Sequence, residues 1–163
     1  MMCRGVSRGS CGVALKDKGS NMKEYITHSP EETILLGEEI GKKLRGGDII
    51  AFEGGLGCGK TTITRGISKG LGLGDEVYSP TFALVNEYRG GQLSLIHFDM
   101  YRILSPEDLE TTGFFDYMSD DSVLAIEWSE NIADELPEGV IKISFERTGD
   151  ETRKITISGD ERF

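Results

Sequence analysis

An α/β fold is predicted for this 163-residue chain on three observations. A short apolar run, Asp48 to Glu53, leads into the glycine-rich stretch Gly54-Gly55-Leu56-Gly57-Cys58-Gly59-Lys60-Thr61, and a helical stretch from Thr61 to Leu71 leads out of it. Two further apolar runs, Leu93 to Phe98 and Ser122 to Ile126, each end on an acid, Asp99 and Glu127. Two pairs of alternating strands, 83–88 with 92–98 and 140–146 with 153–158, are joined by glycine-bearing turns and read as antiparallel hairpins.

In chain order, residues 1–21 carry Arg4, Arg8, Lys16 and Lys18 against Asp17 alone, with several Gly and Ser and no sustained periodicity. They are expected to form a disordered basic extension. A start codon assigned too early and a functional basic tail both account for it, and the first is preferred because Met22 stands where a compact domain begins. A single domain is expected over 22–163. Lys23 to Thr27 reads as an edge strand. Ser29-Pro30-Glu31-Glu32 then supplies an N-cap serine, a proline at the first helical position and an S-x-x-E capping box. Thr33, Leu36, Ile40 and Leu44 form the apolar stripe of that helix and are expected in the core. Glu38/Lys42 and Glu39/Lys43 face water, and Gly46-Gly47 is expected to end it.

The glycine stretch fits G-x-x-x-x-G-K-[ST] without a gap, between a strand and a helix as that motif requires. Glycine admits backbone dihedrals closed to other residues, so successive N–H groups can turn inward and hold phosphate oxygens at the positive end of a helix. Lys60 is expected to reach the outer phosphates, Thr61 to ligate the Mg²⁺ that bridges them, and Thr62 to donate to the innermost phosphate. The amides and Lys60 are expected to lower the pKa of the Cys58 thiol.

After the breaks at Gly70, Gly72 and Gly74, Tyr78-Ser79-Pro80-Thr81-Phe82 occupies the position of a phosphate-sensing switch segment, and equally suits an ordinary Ser-Pro turn. Asp99 and Glu127 at strand ends are candidates for the magnesium, since ligands of open α/β sheets bind there; solvated strand ends are the plain alternative. His97 reads as a structural histidine rather than a base. Trp128 suits either the core or a shield over the nucleotide. These elements describe a P-loop NTPase-like three-layer sandwich whose mixed sheet carries antiparallel hairpins.

The balance of 18 basic and 28 acidic residues, net −10, argues against a broad electrostatic grip on nucleic acid or anionic membrane. No basic residue falls between Arg102 and Lys142, while acids from Glu107 to Glu138 accumulate with Phe114, Phe115 and Tyr117 among them. That run reads as a solvated face or as the docking site of a basic protein partner. The three cysteines show no C-x-x-C spacing, and no apolar run has the length of a membrane span or the form of a secretory signal, so a reducing cytoplasm is expected.

The ordered set GGLGCGKTT at 54–62, SPTF at 79–82, HFDMYR at 97–102 and Glu127-Trp128 resembles the TsaE (YjeE) family, small bacterial ATPases of tRNA threonylcarbamoyladenosine biosynthesis, over about Met22 to Ser158. The resemblance implies an ATP- and Mg²⁺-dependent protein that acts with TsaB and TsaD, touches tRNA only indirectly, and supports modification of tRNAs that read codons beginning with A. It implies slow hydrolysis alone and partner stimulation, with self-association left open. Lys60, Asp99 and Glu127 would be catalytic. Thr61, Glu127 and Asp99 would serve the metal. Gly55, Leu56, Gly57, Cys58, Gly59, Lys60, Thr61, Thr62, Thr81 and Trp128 would contact the nucleotide. Gly55 stands where the family often has Asp, Cys58 replaces a common Ala, Glu53 precedes Gly54, and the basic extension has no counterpart. A small-molecule kinase is the alternative, with Arg102 as the arginine placed to suggest a lid. A GTP switch ranks last, since no [NT]-K-x-D segment is present.

Overall fold

A computed structural model describes residues 22–81 and 83–163; the extension expected over residues 1–21, including Cys3 and Cys11, and Phe82 of the switch-like segment lie outside the described residues. Chain-local chemistry starts the helices. In α1 (Pro30–Lys43) the Ser29 hydroxyl accepts the Glu32 N–H at 3.2 Å, and the Glu32 carboxylate accepts the His28 N–H at 2.7 Å. Acids in its first turn and Lys42 and Lys43 in its last complement the helix dipole. The helix stops at Lys43, short of Gly46-Gly47. Gly46 instead serves a close approach, because a Cβ there would sit 1.6 Å from the Asp120 carbonyl oxygen. Lys42 pairs with both Glu38 and Glu39, in place of the separate Glu39/Lys43 pair expected.

The same cap recurs at Ser105-Pro106, where the serine accepts the Asp108 N–H at 3.2 Å and begins α3 (Pro106–Thr111), a six-residue helix that the sequence reading does not anticipate. It is too short to show an apolar period. The phosphate-loop helix, α2, spans Lys60–Gly70.

Seven strands form one mixed sheet: β1 (Met22–Thr27), β2 (Ile49–Glu53), β3 (Val85–Tyr88), β4 (Ser94–Asp99), β5 (Ser122–Glu127), β6 (Ile141–Arg147) and β7 (Arg153–Ser158), in the order β1-β7-β6-β2-β5-β4-β3. The four central strands, β6, β2, β5 and β4, are parallel. β3 joins β4, β7 joins β6 and β1 joins β7 in antiparallel fashion, so both expected hairpins are present and β1 is an edge. β5 is buried along its whole length, as suits a strand covered on both faces.

The two faces carry separate cores. On one, α1 and α2 bring Leu36, Ile40, Ile63 and Ile67 against Ile50, Phe52 and Ile143. On the other, Leu109 of α3, Phe114 of a 3-10 turn (Phe114–Tyr117) and Ile132 pack on Ile96, Phe98 and Ile126. Helix, sheet and shorter helical segments thus make three layers, the α/β arrangement expected. Phe114 is fully buried, with its ring 5.2 Å from that of Phe98, which removes it from the exposed aromatic set expected among the acids; Phe115 remains exposed.

This topology gathers several segments at the carboxyl edge of the parallel strands. β2 ends there in the glycine loop, and Asp99 and Glu127 are register partners at the ends of β4 and β5. Because β3 runs antiparallel to β4, the 79–84 segment arrives at that edge; because β7 runs antiparallel to β6, Arg153 begins there. Thr27 at the end of β1 pairs with Arg153, which brings the start of α1 to the same place.

Candidate functional site

The glycine loop is built from both its neighbours. Gly59 is the cap of α2 with φ 114°, and Gly54 has φ 147°, a backbone region closed to most side chains. A Cβ on Gly54 would lie 2.8 Å from the Cys58 sulfur. Gly55 has neither constraint, with open space around its missing Cβ. Lys60 is buried; its ammonium donates to the Gly54 carbonyl at 3.0 Å and lies 5.3 Å from the centre of the Trp128 ring.

Arg153 crosses from β7 to the loop. Its Nε donates to the Cys58 carbonyl at 3.1 Å and its Nη2 to the Gly57 carbonyl at 3.4 Å, while Nη1 holds carbonyls of the β6–β7 turn. In a trans peptide the C=O and N–H point in opposite directions, so this grip turns the Cys58 and Gly59 N–H groups away from the guanidinium.

A cavity of about 810 Å³ opens at the carboxyl edge. Of the residues expected from sequence, Leu56, Gly57, Gly59, Lys60, Thr61, Thr62, Thr81, Asp99, Glu127 and Trp128 line it. Gly55 and Cys58 do not. The Cys58 side chain belongs to the core on the α1/α2 face, and burial pushes its thiol pKa up, outweighing the lowering effect of Lys60. The expected reactive thiol is therefore incorrect: the amides that would stabilise a thiolate are backbone features of the loop, whereas the sulfur points under it. Any contact Cys58 makes with a ligand is through its backbone.

Asp99 and Glu127 are both buried. The Tyr101 N–H donates to Asp99 Oδ1 at 2.9 Å, and His97 Nε2 lies 3.1 Å from Glu127 Oε1. The second oxygen of each acid has no hydrogen-bond partner among the described residues. Cross-links hold these strand ends together: the Met100 N–H donates to the Glu127 carbonyl at 2.9 Å, Asn131 Nδ2 to the Met100 carbonyl at 2.8 Å, and the Ser129 hydroxyl to the Phe52 carbonyl at 3.2 Å. Backbone strain sits beside both acids. Trp128, next to Glu127, has φ 57°, and Leu84, whose carbonyl accepts the Asp99 N–H, has φ 68°.

The donor set suits Mg²⁺ at a phosphate site. Thr61, Asp99 and Glu127 are hard oxygen donors on one cavity, and no group of three or more His, Cys, Asp or Glu is assembled for a metal among the described residues. Magnesium is characteristically held by one or two carboxylates together with substrate phosphates rather than by an all-protein cage.

Sequence reasoning missed contributors from three parts of the chain. Arg153 is the arginine at the cavity, whereas Arg102 is exposed and not part of its lining. Pro30 and Thr33 of α1 and Asp150 and Glu151 of the β6–β7 turn complete the wall. The available signal was the second hairpin: an arginine opening its return strand must sit at the end where the preceding strand finishes.

The family model of threonylcarbamoyl adenosine biosynthesis protein TsaE matches residues 27–155. The chain is 38% identical over 135 residues to the tRNA threonylcarbamoyladenosine biosynthesis protein TsaE of Bacillus subtilis strain 168, covering 83% of this chain and 84% of that protein. It is 37% identical over 133 residues to the protein of the same description from Treponema pallidum strain Nichols, covering 82% and 98%. A crystal structure of YdiB from Bacillus subtilis superimposes with a TM-score of 0.69 at 31% identity, over 90% of this chain and 92% of that one. None of the described helices is long and apolar enough to cross a membrane.

Proposed function

Because the chain belongs to the TsaE family of threonylcarbamoyl adenosine biosynthesis proteins, we propose that its part in that pathway is to bind ATP with Mg²⁺ and hydrolyse it slowly, at a rate raised by protein partners. The observation that carries this reading is one cavity lined together by Lys60 and Thr61 at the start of α2 and by Asp99 and Glu127 on registered strand ends. The loop amides and Lys60 would bind the phosphates. Thr61 with Glu127 and Asp99 would hold Mg²⁺, which when bound neutralises phosphate charge. Trp128 and Tyr101, with ring centres 4.9 Å apart, line the same cavity as the two acids.

Partner dependence follows from the cations. Among the described residues those lining the cavity are Lys60 and Arg153, and both are engaged with loop carbonyls. Phosphoryl transfer is accelerated by positioning and by cations at the transferring group, and an arginine supplied in trans is worth about 10³ to 10⁵ in rate. The proposed partners are TsaB and TsaD, with tRNAs that read codons beginning with A as the eventual beneficiaries, in the cytoplasm. The exposed acids Glu107, Asp108 and Glu110 beside Phe115 are the proposed docking face. A kinase reading loses its lid candidate with Arg102 away from the cavity.

The test is ATP turnover by the purified chain, alone and with TsaB and TsaD, in the wild type and in Lys60→Ala. Binding and stimulated turnover in the wild type, both lost in Lys60→Ala, are expected. A wild-type chain that binds no ATP, or that turns over equally fast without partners, refutes the proposal.

A further inference from the structure

His97 is fully buried on β4, two residues before Asp99, and its register partner on β5 is Ala125, two residues before Glu127. The period of two in a strand puts His97 on the same face as Asp99, and Ala125 on the same face as Glu127. Ala125 has no side chain beyond Cβ to obstruct the diagonal, and His97 Nε2 reaches Glu127 Oε1 at 3.1 Å. A carboxylate accepts, so this contact puts the ring proton on Nε2. The other ring nitrogen, Nδ1, has no partner among the described residues.

That half-satisfied state is informative. Burying an imidazole with one nitrogen orphaned is unfavourable, and a position needing only volume would be filled better by Leu or Phe. The contact that a hydrocarbon could not replace is the one to Glu127. Its effect is to divide the carboxylate, with Oε1 held and Oε2 left for the cavity, just as the Tyr101 N–H divides Asp99.

Building on the proposed ATP and Mg²⁺ reading, we infer that His97 is a positioning residue for Glu127. Its Nε2–H fixes the plane of the carboxylate, so that Oε2 meets a magnesium–nucleotide complex without first having to be ordered. Partners of this kind behind a metal-binding carboxylate are worth about 10- to 100-fold in metal affinity.

The experiment compares His97→Gln, whose amide N–H reaches about as far as Nε2, with His97→Asn, equally polar but one methylene shorter, and with His97→Phe, which fills the space without a donor. Calorimetry on the full chain measures affinity for the non-hydrolysable ATP analogue AMP-PNP in EDTA and with Mg²⁺, and thermal unfolding without ligand records the fold. Affinity in EDTA rests on the loop and is expected to stay within about twofold of wild type in each folded variant. The Mg²⁺-dependent gain in affinity is expected to fall about tenfold in His97→Asn and His97→Phe and to be restored in His97→Gln. A gain unchanged in His97→Asn and His97→Phe, or lost equally in Gln, Asn and Phe, overturns the inference alone. A wild type that shows no binding, or no gain with Mg²⁺, overturns the ATP and Mg²⁺ reading beneath it.

Discussion

Replacing Gly66 by alanine should destabilise this protein although alanine is the better helix former. α1 and α2 meet backbone to backbone at four glycines, Gly37 and Gly41 against Gly66 and Gly70. A Cβ on Gly66 would lie 2.1 Å from the Ile34 carbonyl oxygen, 2.9 Å from the Glu38 nitrogen and 2.9 Å from the Gly37 Cα, where ordinary contact begins at 3.4 Å. All three neighbours are backbone, so none can rotate aside, and relief requires the helices to part by about 1 Å. That loosens Leu36 and Ile40 against Ile63 and Ile67. Overpacking of this kind costs about 1–3 kcal/mol and here belongs at or above the top of that range, because the clash is with backbone. The propensity gain from Gly to Ala returns about 0.8–1 kcal/mol. A net loss of about 2 kcal/mol should lower the melting temperature by roughly 4–8 °C for a domain of this size. Thermal and urea unfolding followed by circular dichroism measures it, with Gly55→Ala, which meets open space at an ordinary φ, as the control. Gly37→Ala combined with Gly66→Ala should cost less than the sum of the two, since each new Cβ approaches the other residue's Cα and one separation relieves both. A Gly66→Ala protein as stable as wild type would show that propensity wins and that the helices are not in backbone contact.

Three further outcomes are expected. Arg153→Gln should weaken nucleotide binding by about tenfold or more, because two charge-assisted bonds to the Gly57 and Cys58 carbonyls are lost; calorimetric affinity equal to wild type would assign Arg153 to the β6–β7 turn alone. Alkylation of Cys58, followed by peptide mass mapping, should be slower than for a model thiol with or without Mg-ATP, since the sulfur is buried and its pKa raised; fast labelling that nucleotide blocks would return the thiol to the cavity. Asp160, held by Arg162 at 2.7 Å, has its pKa lowered from 3.8 to about 2, so its stabilising contribution is complete above the usual carboxylate range and is lost as the pH falls from about 4 to about 2. Asp160→Asn should flatten that part of the acid-unfolding curve, and an unchanged curve would show that the pair does not survive in solution.

What the sequence determined by itself is whatever depends on neighbours along the chain. The phosphate loop, the Ser29-Pro30 cap and both hairpins were legible because a glycine dihedral, a hydroxyl three residues from an N–H, or a turn between alternating runs is set within a few residues. The strand ends at Asp99 and Glu127 were legible for the same reason: each closes an apolar run. The ordered motifs sufficed to point to the family that residues 27–155 match. Strand order was not legible: that β6 lies beside β2, which sets the Arg153 end of the second hairpin at the cavity, and that β1 pairs with β7, which brings the start of α1 there, are fixed by which apolar faces bury together across the domain. Side-chain direction was hidden too. The same motif letters allow the Cys58 sulfur to face phosphate or core, and only Phe52 and Phe145 packed beneath the loop choose the core. Phe114 looks like a surface aromatic among acids until the 3-10 turn carries it under Phe98. His97 reads as an ordinary buried histidine until the parallel register of β4 and β5 sets Ala125 opposite it and leaves Glu127, thirty residues away, as the hydrogen-bond partner its ring meets.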